Sequence, residues 1–153
     1  MAYTEGMVDN TIKIVKVFNT GIENVFEAWT NSEQIGEWLG PRGMVTDVSE
    51  MDANEGGIYR MAMKSLDGNI HRLRGVFKSI DRPNKIVLSW QWEQVDSSGK
   101  VPLETLVTAT FRSLDEDRTE MTLLHEGFPN AGEMKAHEAG WKDAVKKLEE
   151  IFP

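Results

Sequence analysis

The fold is decided by residues 130–152, which read NAGEMKAHEAGWKDAVKKLEEIF. Asn130 stands three residues before Glu133, the spacing of a capping box, so we predict that a helix begins here. Six side chains recur three or four residues apart along it: Met134, His137, Trp141, Val145, Leu148 and Phe152. This spacing places them on one face of a helix of about 20 residues and about 30 Å. Such a long apolar stripe needs another layer of structure to cover it.

The chain before this helix predicts the covering layer. Residues 11–18 are rich in β-branched side chains and predict a strand. Two short helices follow, for which Thr20 and Thr30 stand at capping-box spacing from Glu23 and Glu33, and Gly40-Pro41 ends the second. Alternating or turn-bounded segments then predict six further strands, at residues 44–51, 58–64, 69–80, 85–93, 103–113 and 118–126. We predict a flexible N-terminal arm over residues 1–10 and a single domain over residues 11–153.

Composition excludes several classes of function. The chain has 153 residues, no cysteine and a net charge of −8, which excludes disulfides and cysteine-ligated metals. An acidic surface repels phosphate backbones, so we expect no nucleic-acid partner. Apolar runs are too short for membrane insertion, and no signal peptide is evident, so we expect a cytoplasmic protein. Because no histidine pair stands at ligand spacing, we expect no metal and no cofactor.

Strand alternation predicts which side chains face the long helix. Tyr59, Met61 and Met63 share one apolar face of their strand, and Trp90 and Trp92 share a face on another. A sheet of this many strands twists and coils, so its concave side need not close completely on the helix. A cavity between them is the expected place for a ligand.

The candidate ligand-binding residues are aromatic, sulfur-containing or imidazole side chains that face this space. They are Trp38, Met61, Met63, Trp90, Trp92, His125, His137 and Trp141. For each, the alternative is an ordinary place in the core. We expect His71, beside a hairpin turn, to be solvated, and we consider Glu104 as a possible cavity acid. No catalytic set is evident, since no serine stands with a histidine base in a recognisable pattern.

Several motifs together resemble one known family. They are VFEAWTNSEQIGEWLGPRG (residues 25–43), EMDANEGGIYRMAM (residues 50–63), LLHEGFP (residues 123–129) and HEAGWKDAVKKLEE (residues 137–150). In this order they resemble the activator-of-heat-shock-chaperone-ATPase-like proteins of the START-like, or SRPBCC, superfamily. Where that family often has a Trp-Trp pair, this chain has Trp38-Leu39, which would widen one wall of a cavity.

The resemblance implies an α+β helix-grip fold. In it, a curved seven-stranded antiparallel sheet wraps around the long C-terminal helix, with two short helices between strands 1 and 2. It also implies an internal cavity suited to hydrophobic small molecules, since the superfamily contains lipid carriers, hormone-binding proteins and aromatic polyketide cyclases. It supplies no catalytic residue to carry over.

The leading hypothesis is therefore a soluble binding protein for an apolar or aromatic small molecule. One alternative is a cyclase, hydrolase or isomerase that uses a cavity histidine as general acid–base. The other is an interaction protein that assists a chaperone or a regulator, for which the marker would be an exposed apolar patch. Among possible partners we also consider a second copy of the chain, in a homodimer.

Overall fold

The predicted helix-grip architecture is confirmed by the computed structural model, which describes residues 10–95 and 99–153. Its strands are β1 (Ile12–Phe18), β2 (Val45–Met51), β3 (Ile58–Lys64), β4 (Ile70–Asp81), β5 (Lys85–Trp92), β6 (Thr105–Asp115) and β7 (Arg118–Glu126). Its helices are α1 (Ile22–Thr30), α2 (Ser32–Trp38) and α3 (Ala131–Ile151). Apart from residue 10, the predicted N-terminal arm lies outside the described residues, as do residues 96–98 of a predicted loop.

The seven strands form one antiparallel sheet in the order β1-β7-β6-β5-β4-β3-β2. Strands that follow one another from β2 to β7 are neighbours, joined by turns or loops. β1 and β2 lie at opposite edges, because the chain crosses between them through α1 and α2. α1 packs against β6, α2 packs against β2, and α3 contacts both α2 and β1.

The long helix begins where its capping motif predicts, but the two short helices do not. Asn130 Oδ1 accepts from the backbone N–H of Glu133 at 2.8 Å. The predictions for Thr20 and Thr30 are wrong. Within the described residues, α1 follows Gly21 without a side-chain cap. The cap of α2 is Asn31, whose side chain accepts from the backbone N–H groups of Glu33 and Gln34. Thr30 is unavailable because it ends α1, where its hydroxyl donates to the Phe26 carbonyl at 3.0 Å.

The predicted inner faces of the strands are confirmed by burial. Tyr59, Met61, Met63 and Trp90 are buried, and Trp92 at the end of β5 is partly buried. The strand boundaries shift by one or two residues from the predicted ones, most clearly in β6, which begins at Thr105 where pairing with β5 begins.

The long helix is packed tightly along its second half and loosely along its first. Trp141, Val145 and Leu148 are buried, and Phe152 meets Phe18 of β1 edge to face, with ring centroids 6.4 Å apart. The first half of α3 has no fully buried side chain before Trp141. This difference leaves space between the first half of α3 and the sheet. Of the described helices, none has the length and apolarity needed to cross a membrane.

Candidate functional site

The space beside the first half of α3 is a pocket with a volume of about 640 Å³, hereafter the helix–sheet pocket. One wall is the segment that leaves α2: Leu39, Gly40, Pro41 and Met44. The sheet contributes Met63, His71, Trp90, Trp92 and, just after β5, Gln94. The helix contributes Glu133, Ala136, His137, Gly140, Trp141 and Ala144. Most of these side chains are apolar, so the pocket suits an apolar occupant.

Small residues on α3 make this space. Ala136, Gly140 and Ala144 follow one another at four-residue intervals, so they lie on one stripe of the helix. A methyl group added at Gly140 would lie 3.4 Å from Pro41, within ordinary contact distance of the opposite wall. Larger side chains along this stripe would therefore fill the pocket. The four-residue repeat of small residues was the sequence signal that could have located this wall.

Five of the eight candidate ligand-binding residues line the pocket. They are Met63, Trp90, Trp92, His137 and Trp141. The other three, Trp38, Met61 and His125, are buried elsewhere in the core. The indole N–H of Trp38 donates to the Ala28 carbonyl at 2.9 Å, so this ring ties α2 to α1.

His125 is the centre of a directional hydrogen-bond chain. Trp141 Nε1 donates to His125 Nδ1 at 2.9 Å, and since an indole nitrogen can only donate, Nδ1 carries no proton. The proton of the neutral ring is therefore on Nε2, which donates to Thr105 Oγ1 at 2.7 Å. The threonine hydroxyl in turn donates to the Trp90 carbonyl at 3.1 Å. Both ring nitrogens of His125 are thus occupied within the protein.

His137 repeats this arrangement at the pocket wall with the opposite tautomer. Trp92 Nε1 donates to His137 Nε2 at 2.8 Å, so Nε2 is the unprotonated nitrogen. His137 Nδ1 then donates to the Glu133 carbonyl one helical turn earlier, at 2.8 Å. This ring therefore orients the indole of Trp92 and has no nitrogen left for a ligand.

The two histidines belong to one aromatic cluster. Their ring centroids are 5.6 Å apart, and Phe128 contacts both, at 4.4 Å from His125 and 4.8 Å from His137. Burial, with a smaller contribution from the nearby His137, lowers the pKa of His125 to about 3. His125 is therefore neutral at any physiological pH, as the hydrogen-bond chain requires.

The structure places His71 differently from the sequence-based expectation. Rather than standing in solvent, His71 is half-buried, lines the pocket and meets the Trp92 ring edge to face at 6.4 Å. The sequence could have predicted this position, because His71 stands in the inward-facing row of β4, two residues before buried Leu73. Glu104 does not line this pocket. Its side chain is exposed, and its Oε2 lies 3.9 Å from Lys78 Nζ.

Two further polar features bear on the chemistry of the pocket. The indole N–H of Trp90 is buried without a hydrogen-bond partner among the described residues. No group of three or more histidine, aspartate or glutamate side chains in the described part of the chain could hold a metal ion.

Several known structures share this architecture. A protein from Chromobacterium violaceum superposes with a TM-score of 0.84 at 26% identity, over 94% of this chain and 96% of that one. A solution structure from Arthrobacter aurescens gives 0.83 at 20% identity, over 97% and 89% of the two chains. An AHSA1 protein from Silicibacter pomeroyi gives 0.79 at 18% identity, over 92% and 96%. The last two likenesses concern the fold alone.

Sequence comparison assigns the family. A search of the curated proteins found no match. The family model for Activator of Hsp90 ATPase homolog 1-like protein matches residues 19–153, from the end of β1 through α3. Since this match covers far more than half of the chain, the protein belongs to the Activator of Hsp90 ATPase homolog 1-like (AHSA1) family.

Proposed function

We propose that this protein binds an apolar or aromatic small molecule in the helix–sheet pocket. The observation that carries the proposal is the composition of the wall, in which three tryptophan rings and two methionines surround a space of about 640 Å³. Sites for small organic ligands usually measure about 300–1,000 Å³ and are lined mainly by apolar and aromatic side chains. Methionine adds adaptability, because its flexible thioether adjusts to ligands of different shape.

The hydrogen bonds of His125 and His137 argue against the use of either ring as a general base. A general base needs a free nitrogen within reach of the substrate. Both nitrogens of His137 are bonded to Trp92 and to the Glu133 carbonyl, and His125 lies outside the pocket wall with both nitrogens bonded. A cyclase or hydrolase that relied on either ring would first have to break the contacts that orient the pocket.

A neutral fluorescent probe tests the proposal. We expect N-phenyl-1-naphthylamine to show a saturable rise in emission with one site per chain, and native mass spectrometry to detect a co-purified small molecule. Ala136→Trp places a large ring in the pocket from an exposed helical position, and we expect it to weaken probe binding by about tenfold or more.

Ala139→Trp is the matched control, since Ala139 is exposed on the same helix and does not line the pocket. We expect this variant to bind the probe as the parent protein does. Absence of saturable binding by the parent protein would overturn the proposal, as would equal binding by the two variants.

A further inference from the structure

Most polar side chains in the wall of the helix–sheet pocket are already satisfied by the protein. The indole N–H groups of Trp92 and Trp141 donate to the two histidines of the aromatic cluster, His137 and His125. The second nitrogen of His137 is bonded to the Glu133 carbonyl, and the second nitrogen of His125 is bonded to Thr105. Both nitrogens of each histidine are therefore occupied. None of these groups can form a hydrogen bond with a ligand without losing an existing partner.

Gln94 is also engaged. Its Nε2 donates to the Ile70 carbonyl at 2.5 Å, and its Oε1 accepts from the Arg72 backbone N–H at 3.2 Å. The side-chain amide therefore extends the edge of β4 beyond β5, and each of its polar atoms already has a protein partner. The N–H of Trp90 has no partner in the described part of the chain, but its nitrogen is inaccessible to solvent.

Of the described side chains in the wall, two reachable ones have a polar group without a hydrogen-bond partner, the imidazole of His71 and the carboxylate of Glu133. Among the described residues, the ring of His71 contacts Trp92 only through its edge and has no hydrogen-bond partner. For Glu133, the backbone groups are used, by Asn130 and His137, whereas its carboxylate has no partner in the described part of the chain. His71 comes from the sheet and Glu133 from the helix, so they belong to opposite walls.

We infer that the pocket selects ligands with an apolar body and a neutral hydrogen-bond donor, such as a hydroxyl group, over ligands with a carboxylate. This inference rests on the proposed function. An imidazole nitrogen and a carboxylate both accept a hydrogen bond from a hydroxyl group. A ligand carboxylate would instead meet the negative charge of Glu133 in a wall whose other side chains are mostly apolar, within a protein of net charge −8.

A matched ligand series tests this selectivity by competition with N-phenyl-1-naphthylamine at about pH 7.5. Naphthalene, 2-naphthol and 2-naphthoate share one ring system and differ in a single group. We expect 2-naphthol to bind roughly 3- to 10-fold more tightly than naphthalene, the range of one net hydrogen bond. We expect 2-naphthoate to bind more weakly than naphthalene.

Two variants assign the selectivity to its residues. His71→Phe keeps a ring against Trp92 but has no nitrogen, so we expect the preference for 2-naphthol over naphthalene to fall to about twofold or less. Glu133→Gln removes the charge, so we expect the binding of 2-naphthoate to improve about threefold relative to naphthalene. Glu138→Gln is the control, because it changes net charge equally at a helical position outside the pocket.

The possible outcomes separate this inference from the proposed function. If all three compounds compete equally, or if His71→Phe retains the full preference for 2-naphthol, the inference is wrong while the binding function stands. If neither the probe nor the naphthalenes bind to the parent protein, both are wrong.

Discussion

Trp141 and His125 are joined by a hydrogen bond of 2.9 Å in which the indole is the donor, and this bond determines the protonation state of the histidine. An indole nitrogen cannot accept, so the imidazole must present an unprotonated Nδ1. Trp92 imposes the same condition on His137 at Nε2. The two histidines that sequence spacing marked as candidate ligand contacts are therefore acceptors that hold tryptophan rings in place.

Loss of the acceptor at His125 should destabilise the fold. His125→Phe keeps an aromatic ring of similar size but leaves the buried N–H of Trp141 without an acceptor. It also removes the donor to the Thr105 hydroxyl, which keeps its bond to the Trp90 carbonyl. We expect the free energy of unfolding in urea to fall by about 1–3 kcal/mol. His71→Phe is the control. Because His71 is half-buried and has no hydrogen bond to any described residue, we expect a change within about 0.5 kcal/mol. Equal effects of the two variants would contradict the assigned role of His125.

The same histidine should make stability depend on pH. In the native protein the pKa of His125 is lowered to about 3, whereas an unfolded chain has the ordinary value of about 6.5. Between these values only the unfolded state binds the proton, so stability is fully present above about pH 6.5 and falls as the pH decreases toward 3. The maximum slope is about 1.4 kcal/mol per pH unit.

Urea unfolding of the parent protein and His125→Phe between about pH 7.5 and pH 5 measures this slope. Carboxylates contribute equally to both proteins, so the difference between the two pH profiles isolates His125. We expect the variant to have the flatter profile. Identical profiles would show that His125 is protonated in the native state or is not buried as the structure has it.

Trp92 and His137 should be energetically coupled. We expect Trp92→Phe and His137→Leu to destabilise the protein together by about 1 kcal/mol less than the sum of their separate effects, since either one alone already breaks their hydrogen bond. Combining Trp92→Phe with Glu138→Gln, one residue further along α3, should be additive within about 0.5 kcal/mol. Additivity in both pairs would mean that the bond contributes nothing.

Gly140→Ala should separate stability from binding. Glycine inside a helix destabilises it by about 1 kcal/mol relative to alanine, and the added methyl group would meet Pro41 at an ordinary contact distance. We expect the variant to unfold at higher urea concentration and to bind N-phenyl-1-naphthylamine more weakly, because the methyl group reduces the pocket. A variant that is both less stable and unchanged in binding would contradict this account of the helix face.

Gly75 should tolerate no side chain. A methyl group there would lie 2.1 Å from the Ser89 carbonyl oxygen and 2.4 Å from the ring of Tyr59, whose hydroxyl donates to that same carbonyl. Gly75→Ala must therefore move backbone or displace a buried ring, and we expect a loss of about 3 kcal/mol or more in the free energy of unfolding. A soluble variant with parental stability would show that Tyr59 packs elsewhere.

Sequence periodicity predicted the layers of the fold, and capping motifs predicted the start of the long helix but not the caps of the two short helices. The alternation of Tyr59, Met61 and Met63 predicted their burial because successive side chains of a strand point to opposite faces. The threonine caps of α1 and α2 were predicted wrongly. Thr30 and Asn31 are adjacent and are both residue types that cap helices. Because α1 extends through Thr30, Asn31 caps α2.

The amino-acid sequence by itself determined the family, the order of strands and helices, and the inward-facing rows, because these depend on local periodicity and on motifs read in order. Only the tertiary structure decided the roles of the three histidines. A histidine that binds a ligand and a histidine that accepts a hydrogen bond from an indole can occupy the same positions in the spacing of a strand or helix. The sequence pattern therefore does not distinguish them. The nitrogens of His71 have no hydrogen-bond partner among the described residues, whereas those of His125 and His137 do, and this difference depends on which donors lie within about 3 Å of each ring. Those donors come from segments distant in sequence, so folding alone brings them together.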